Sequence, residues 1–455
     1  MNDFLYKESP LKKIDATNDQ NDLSDQYLIF SQLKTVKDIN DIYNLLSILS
    51  DTLTNRLKTL NDNFYSQWFI DLIKNNLSPQ NPVLAEICVI ILTKLFIIFK
   101  FINLECFLDD CFIDKYFQLL NVFNFKYHFV NETNDDSVIS LRINVMRLIL
   151  LISTNDNSIN YCIKHINLII DLLNKTQNDT LILLYSSFIL CALKYENQNE
   201  IENAQQIELK IQTIVTLINL ENIKNKLIGI EIFNQYLILF KETQDIHGFI
   251  PLIIPTFIDL LDDDSSEIVF SSLKTFETLY SIKVGLDTSQ FHSTICDKCS
   301  KLILHHVSAV KHAAVKCILA FVLNHEEMFN STNDYFFNLL SVGQEKGTAI
   351  QTDISYTLAN IVLKFDTNCL SQLPIQDILS LCAHILESDN YDLFDIIFRA
   401  IYILIDAVQT FNINSQVLSP IIELDIQHLE EKFPEQISNI KEKMAKIINL
   451  PVNNI

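Results

Sequence analysis

A pattern that returns every forty-odd residues constrains this chain more than any other feature. Anchored on Tyr356, matching positions fall at Val89, Arg147, Phe188, Ile232, Lys274, Lys316 and Arg399. From Arg147 onward the steps run from 40 to 44 residues; the first step, of 58, holds a polar insertion near 123–138. Each unit shares one grammar: an apolar helix, a short Asp/Ser/Asn corner, then a second helix. Residues 250–261, 262–267 and 268–283 make one copy, 295–304, 305–309 and 310–323 the next, and 376–386, 387–392 and 393–408 another. No such unit can bury its own apolar face, so neighbours must stack and share a continuous core. The period predicts an all-α, right-handed α-solenoid of about ten armadillo (ARM/HEAT-like) repeats.

The solenoid is expected over residues 31–450. Residues 1–30, with Lys7, Lys12 and Lys13 against six acids, read as a polar tail, and 451–455 as a short C-terminal one. At 455 residues the chain exceeds what one hydrophobic core serves. Its five glycines are too few for a turn-rich β fold, and Pro82, Pro251 and Pro374 stand at the edges of apolar runs. The most apolar stretch, 87–104, is interrupted by Lys94 and Lys100, which argues against a membrane span. The N-terminus lacks a signal-peptide layout, and the ten cysteines are scattered as in a reducing compartment. A soluble, intracellular chain is expected. The net charge of −22 repels nucleic acid and anionic lipid and favours basic partners. The same charge also serves solubility in an apolar-rich chain.

Catalytic constellations are missing from the sequence. It has no Gly-rich phosphate loop, no Gly-x-Ser-x-Gly elbow and no His-Glu-x-x-His, so no enzyme and no cofactor are expected. Cys296 and Cys299, with His292, His305 and His306 nearby, have zinc-like chemistry, but they lie in register with the core of their repeat and no second pair follows. Packed thiols and no metal are the expectation. Cys106 and Cys111 stand beside Asp109 and Asp110, which disfavour a thiolate. Asp262–Asp264 lacks the ligand alternation of a calcium loop and reads as a solvated corner.

One constellation is suited to binding. Tyr356 and Asn360 lie four apart, hence on one helix face. The aromatic ring can hold a cationic side chain, and the amide can fasten an extended peptide backbone. Equally, a Tyr can pack and an Asn can face water.

Residues 350–361, Ile-Gln-Thr-Asp-Ile-Ser-Tyr-Thr-Leu-Ala-Asn-Ile, resemble the Ile-Gln-Lys-Glu-Ala-x-Trp-x-Ile-Ser-Asn-Ile segment of the importin-alpha (karyopherin-alpha) family. Leu184–Ala192 sits where that family has Leu-Arg-x-Ala-Thr-Trp-Thr-Leu-Ser-Asn. Phe233-Asn-Gln-Tyr-Leu237 is similar to its Ala-Leu-Ser-Tyr-Leu, and 420–448 to its terminal repeat. The resemblance implies an adaptor that binds basic nuclear localisation signals in an acidic concave groove for nuclear import, working in cytoplasm and nucleus. Its partners would be proteins offering basic or extended segments, with neither nucleic acid nor membrane. Tyr356, Asn360, Phe188 and Tyr236 would be peptide contacts, and Asp156 a displaced counterpart of the family's acid after repeat three. The departures are specific. The family's Trp/Asn positions hold Val89/Thr93, Arg147/Leu151 and Phe188/Ala192 in its major site, and Lys274 and Lys316 further on would repel a basic peptide. Lys12-Lys13 is a poor substitute for the basic arm that binds importin-beta. The alternative is an armadillo scaffold or dedicated chaperone that has lost signal binding.

Overall fold

The Asp and Asn corners of the repeat become helix caps. Asp38 accepts hydrogen bonds from the backbone N–H groups of Asn40 and Asp41, at 2.8 and 3.3 Å. Asn81 does so for Leu84, Asp109 for Phe112, Asn178 for Leu181 and Asn222 for Lys224. Each satisfies a backbone donor that the first helical turn leaves unpaired, an effect of about 1 kcal/mol per cap. Short polar corners therefore start the next helix as well as ending the last.

A computed structural model describes residues 19–53, 62–99, 104–120, 135–198, 211–239, 244–282, 289–324, 334–345, 350–365, 370–388, 390–424 and 427–448. Among the described residues the structure is helical, without strands. By packing, the chain divides into two units, Met1–Leu209 and Lys210–Ile455.

The first unit contains α1 (Asp19–Leu33), α2 (Ile39–Thr52), α3 (Gln67–Asn76), α4 (Pro82–Phe99), α5 (Asp110–Leu120), α6 (Asp135–Ile152), α7 (Asp156–Ile163), α8 (Ile166–Leu173) and α9 (Asp179–Gln198). Second helices stack in the order α2, α4, α6, α9, each backed by a first helix. Helix α4 is long and apolar enough to cross a membrane, but it lies between α2 and α6. Its Lys94 donates to the Ser50 carbonyl at 2.8 Å, and burial lowers that lysine's pKa. An all-round apolar helix is here the middle of a stack.

Packing begins earlier than the sequence suggests. Residues 19–30, expected in a polar tail, belong to α1. Phe30 is 1% exposed and meets Phe64, Trp68 and Phe69 edge-on, with centroids 4.9, 5.9 and 5.2 Å away. Such ring pairs add roughly 0.5–1.5 kcal/mol each beyond area burial, which outweighs the polar composition around them. Most of the insertion, and the tails 1–18 and 451–455, lie outside the described residues.

The second unit contains α10 (Ile211–Ile218), α11 (Ile223–Leu239), α12 (Gln244–Leu260), α13 (Ser266–Ser281), α14 (Ser289–Leu302), α15 (Ser308–Asn324), α16 (Asp334–Gly343) and α17 (Gln351–Lys364). It continues with α18 (Ile375–Leu386), α19 (Phe394–Thr410), α20 (Ser419–Ile422), α21 (Gln427–Lys432) and α22 (Pro434–Ile448). Helices α11, α13, α15, α17, α19 and α22 form one layer, and α10, α12, α14, α16 and α18 the other. This is the two-layer stacking of an armadillo-type solenoid, as the period requires. Pro251 and Pro255 fall inside α12 instead of at its edge. Each removes one backbone donor, a cost that burial of Ile253, Ile254, Phe257 and Ile258 offsets.

The corner acids are tied between repeats. Asp263 pairs with Lys226 of α11 at 3.2 Å and accepts from the Ser265 N–H at 2.9 Å, while Asp262 pairs with Lys298 of α14. Cys296 and Cys299 are buried, and Cys299 Sγ lies 3.6 Å from Cys317 Sγ. His292 is buried against Tyr280 and Phe321. Among the described residues no cluster of three or more His, Cys, Asp or Glu could hold a metal ion.

Candidate peptide-binding stripe

Within each stack the interior second helices, α4 and α6 in the first unit and α13, α15, α17 and α19 in the second, are packed on three sides: by both neighbours in their layer and by the first-helix layer behind. One stripe is left open. In α13 it carries Glu267, Lys274 and Glu277; in α15, His312 and Lys316; in α17, Asp353, Tyr356 and Leu363; in α19, Asp395, Arg399, Tyr402 and Asp406. The spacings are three, four or seven residues, as one face of a helix demands.

Tyr356 stands on this stripe, partly exposed. Asn360 is only 5% exposed, and its Nδ2 donates to the Tyr356 carbonyl at 2.9 Å. The amide thus spends one donor on its own helix and leaves a ligand only its remaining edge. Three residues before Tyr356, Asp353 Oδ2 lies 3.2 Å from Nδ1 of His312 on α15, so this carboxylate already has an intrachain partner.

The other aromatic candidates are elsewhere. Phe188 is fully buried in α9, edge-on to Phe117 with centroids 6.1 Å apart, and presents no face to a peptide. Tyr236 is 8% exposed, one residue past Gln235 on α11. One residue is about 100° of helix, enough to move a side chain from the stripe into the stack. Val89 and Ile232 are buried for the same reason. The stripe in these helices passes through Ile90, Ser187, and Glu231 with Gln235. The expectation that Phe188 and Tyr236 contact a peptide is therefore corrected: the repeat spacing slips by one residue in α4, α9 and α11. Asp156 opens α7, and its side chain lies outside the described residues.

The structure adds a cleft that sequence spacing does not disclose. It holds about 310 Å³, and its lining includes Leu363 of α17, Asp395, Phe398, Arg399 and Tyr402 of α19, and Gln436 and Asn439 of α22. Arg399 is open to solvent, 4.0 Å from Asp395 one turn earlier. On Tyr402, Lys443 of α22 sits over the ring at 3.3 Å from its centroid and pairs with Asp406. The fold itself thus places a lysine on an aromatic ring beside a carboxylate in this layer. Among the described residues Lys316 is exposed and makes no ion pair.

The buried thiols are unsuited to nucleophilic chemistry. Burial pushes Cys88, Cys162 and Cys382 up to about 12, and raises Cys106, Cys191 and Cys296 as well. At neutral pH these thiols stay protonated; Cys88, Cys162, Cys296 and Cys382 are core groups, while Cys106 and Cys191 are half-buried.

No family model matches this chain, and no curated protein does. Among solved structures, an engineered protein matches with a TM-score of 0.65 over 93% of this chain and 99% of its own, at 11% identity. Designed armadillo repeat proteins for modular peptide recognition match over 55% of this chain and 99% of theirs, at 14% identity and a TM-score of 0.40. A designed armadillo repeat protein in complex with the peptide (KR)4 matches over 56% and 99%, at 13% identity and 0.38. The first likeness shows the fold and, at that identity, the fold alone.

Proposed function

We propose that this chain is an armadillo-type interaction protein that holds an extended protein segment along the open stripe of its second unit, centred on α17. One observation carries the reading: Tyr356 lies on a stripe that runs on into a cleft lined by apolar, aromatic and amide side chains together with one cation, Arg399, and one carboxylate, Asp395. Ring faces hold side-chain stems, and amides hold backbone, which together suit a segment without secondary structure of its own.

A second, narrower reading is an import adaptor for basic nuclear localisation signals, working between cytoplasm and nucleus. The Tyr356/Asn360 pair and the nearby Asp353 favour it. The burial of Phe188 and the exposed Lys316 and Arg399 weigh against it. The test is fluorescence anisotropy with two labelled peptides, one rich in glutamate and one rich in lysine, against wild type and Tyr356→Ala/Asn360→Ala. Binding of either peptide that falls at least tenfold in the double variant supports a segment-binding stripe. Absence of binding by both, or indifference to the double variant, removes it.

A further inference from the structure

We infer that the segment held by the second unit is anchored by one large, uncharged apolar side chain in the cleft between α17, α19 and α22. The inference rests on the segment-binding reading above and adds the chemistry of the residue that fills the cleft.

The floor of the cleft is apolar. Phe398 and Ile440 are 4% and 3% exposed, while Leu363 and Ile403 are half-buried and line a space of about 310 Å³. That is the small end of ligand pockets, with room for a side chain and none for a helix about 10 Å across.

Charge around the floor is balanced. Asp395 and Arg399 are the charged residues of the lining, one of each sign, 4.0 Å apart. One face of Tyr402 already carries a cation, Lys443, at 3.3 Å from the ring centroid, and that lysine pairs with Asp406. A ligand carboxylate brought to Arg399 meets Asp395 as well, and a ligand ammonium brought to Asp395 meets Arg399. Neither sign gains, and either loses hydration over the apolar floor. An apolar side chain carries no such cost and removes its own surface and the floor's from water.

The rim supplies the hold on the main chain. Gln436 and Asn439 lie three apart on α22, both exposed, and neither side-chain amide has a hydrogen-bond partner among the described residues. Each offers a donor and an acceptor to the N–H and C=O groups of an extended segment. Leu363 comes seven residues after Tyr356, about 10 Å along the helix, which an extended chain covers in about three residues. One segment can therefore rest on Tyr356 and fill the cleft.

The test uses the full chain and whichever of the glutamate-rich and lysine-rich labelled peptides binds it more tightly in the test above. Three versions differ at one central position, which holds leucine, serine or the peptide's own charged residue. Anisotropy is measured for wild type, Leu363→Ser and Asn439→Trp, the second placing an indole at the mouth of the cleft. Circular dichroism checks that each variant is folded. The leucine version should bind wild type about tenfold tighter than the other two. This gain should vanish in the folded variants, and added salt should leave the leucine-to-serine ratio unchanged, because the gain is not ionic. Equal binding of the leucine and serine versions, tighter binding of the charged version, or a leucine gain kept in both variants overturns the inference. In each of those cases the peptide still binds, so the segment-binding reading stands. No binding by any version removes both.

Discussion

Replacing Phe188 by alanine separates a core residue from a gripping one. Its ring is fully buried in α9 and edge-on to Phe117, which itself stacks on His165 with centroids 4.2 Å apart. Emptying such a site costs about 3–5 kcal/mol, the sum of lost burial and the cavity left behind. A partly exposed aromatic that gripped a ligand would cost far less in stability. The chain's single tryptophan, Trp68, belongs to the first unit, as does Phe188, so its fluorescence reports on the unit that holds the substitution. With a urea slope of about 2–3 kcal/mol per molar, the transition should move down by roughly 1–2 M. Phe188→Leu, which refills much of the space, should recover most of the shift. A Phe188→Ala midpoint unchanged within roughly 0.3 M, beyond ordinary extrapolation scatter, would refute the burial argument. It would also return Phe188 to the list of ligand contacts.

Other substitutions read other parts of the account. An alanine Cβ at Gly229 would stand 2.9 Å from Leu217 Cβ and 3.3 Å from Ile218 Cγ1, where α11 crosses α10. Overpacking of about 1–3 kcal/mol should exceed the gain of about 1 kcal/mol in helix propensity, so Gly229→Ala lowers the thermal midpoint seen by circular dichroism. Asn360→Ala removes only a bond to its own helix backbone and should leave the midpoint almost unmoved, a change of about 0.5 kcal/mol or less. Because burial raises Cys88, Cys162 and Cys382 to about 12, the fold keeps protons that the unfolded chain loses near its ordinary thiol pKa of about 8.5. Their contribution is complete below that pH and is lost as pH rises toward 12; melts at pH 8 and 10.5 should show the fall, and Cys382→Val should lessen it. Cys111 is exposed and should react with a thiol reagent at once, whereas Cys299 and Cys317 should react only on unfolding.

The solenoid was legible because stacking imposes an apolar seam on every repeat, and that seam survives divergence of everything else. The register of the open stripe was legible only where one residue type betrays it. In α13, α15 and α19 a cation marks the solvent side. In α9 and α11 the counted positions, Phe188 and Ile232, are apolar, while Ser187 and Glu231 one residue away carry the polar phase that points outward. Choosing the polar phase would have found the stripe there. In α4 the same signal is Glu86 and Lys94, one turn on either side of Ile90, where the counted Val89 is buried. The cleft beside Arg399 is beyond reach of spacing, because Leu363, Tyr402 and Asn439 come from three helices that only stacking brings together. Helix α1 was missed because its buried face rests on Phe64, Trp68 and Phe69, more than thirty residues away.

The central claim is that a bound segment lies on the open stripe of the second unit. Hydroxyl-radical footprinting of the full chain, with and without a saturating concentration of whichever labelled peptide binds in the anisotropy test, reads it most directly. Tyr356, Leu363 and Tyr402 should lose reactivity, while Tyr161 and Tyr43, exposed in the first unit, should not change. Protection confined to the first unit or to the first-helix layer, with Tyr356 and Tyr402 as reactive as before, would contradict the account.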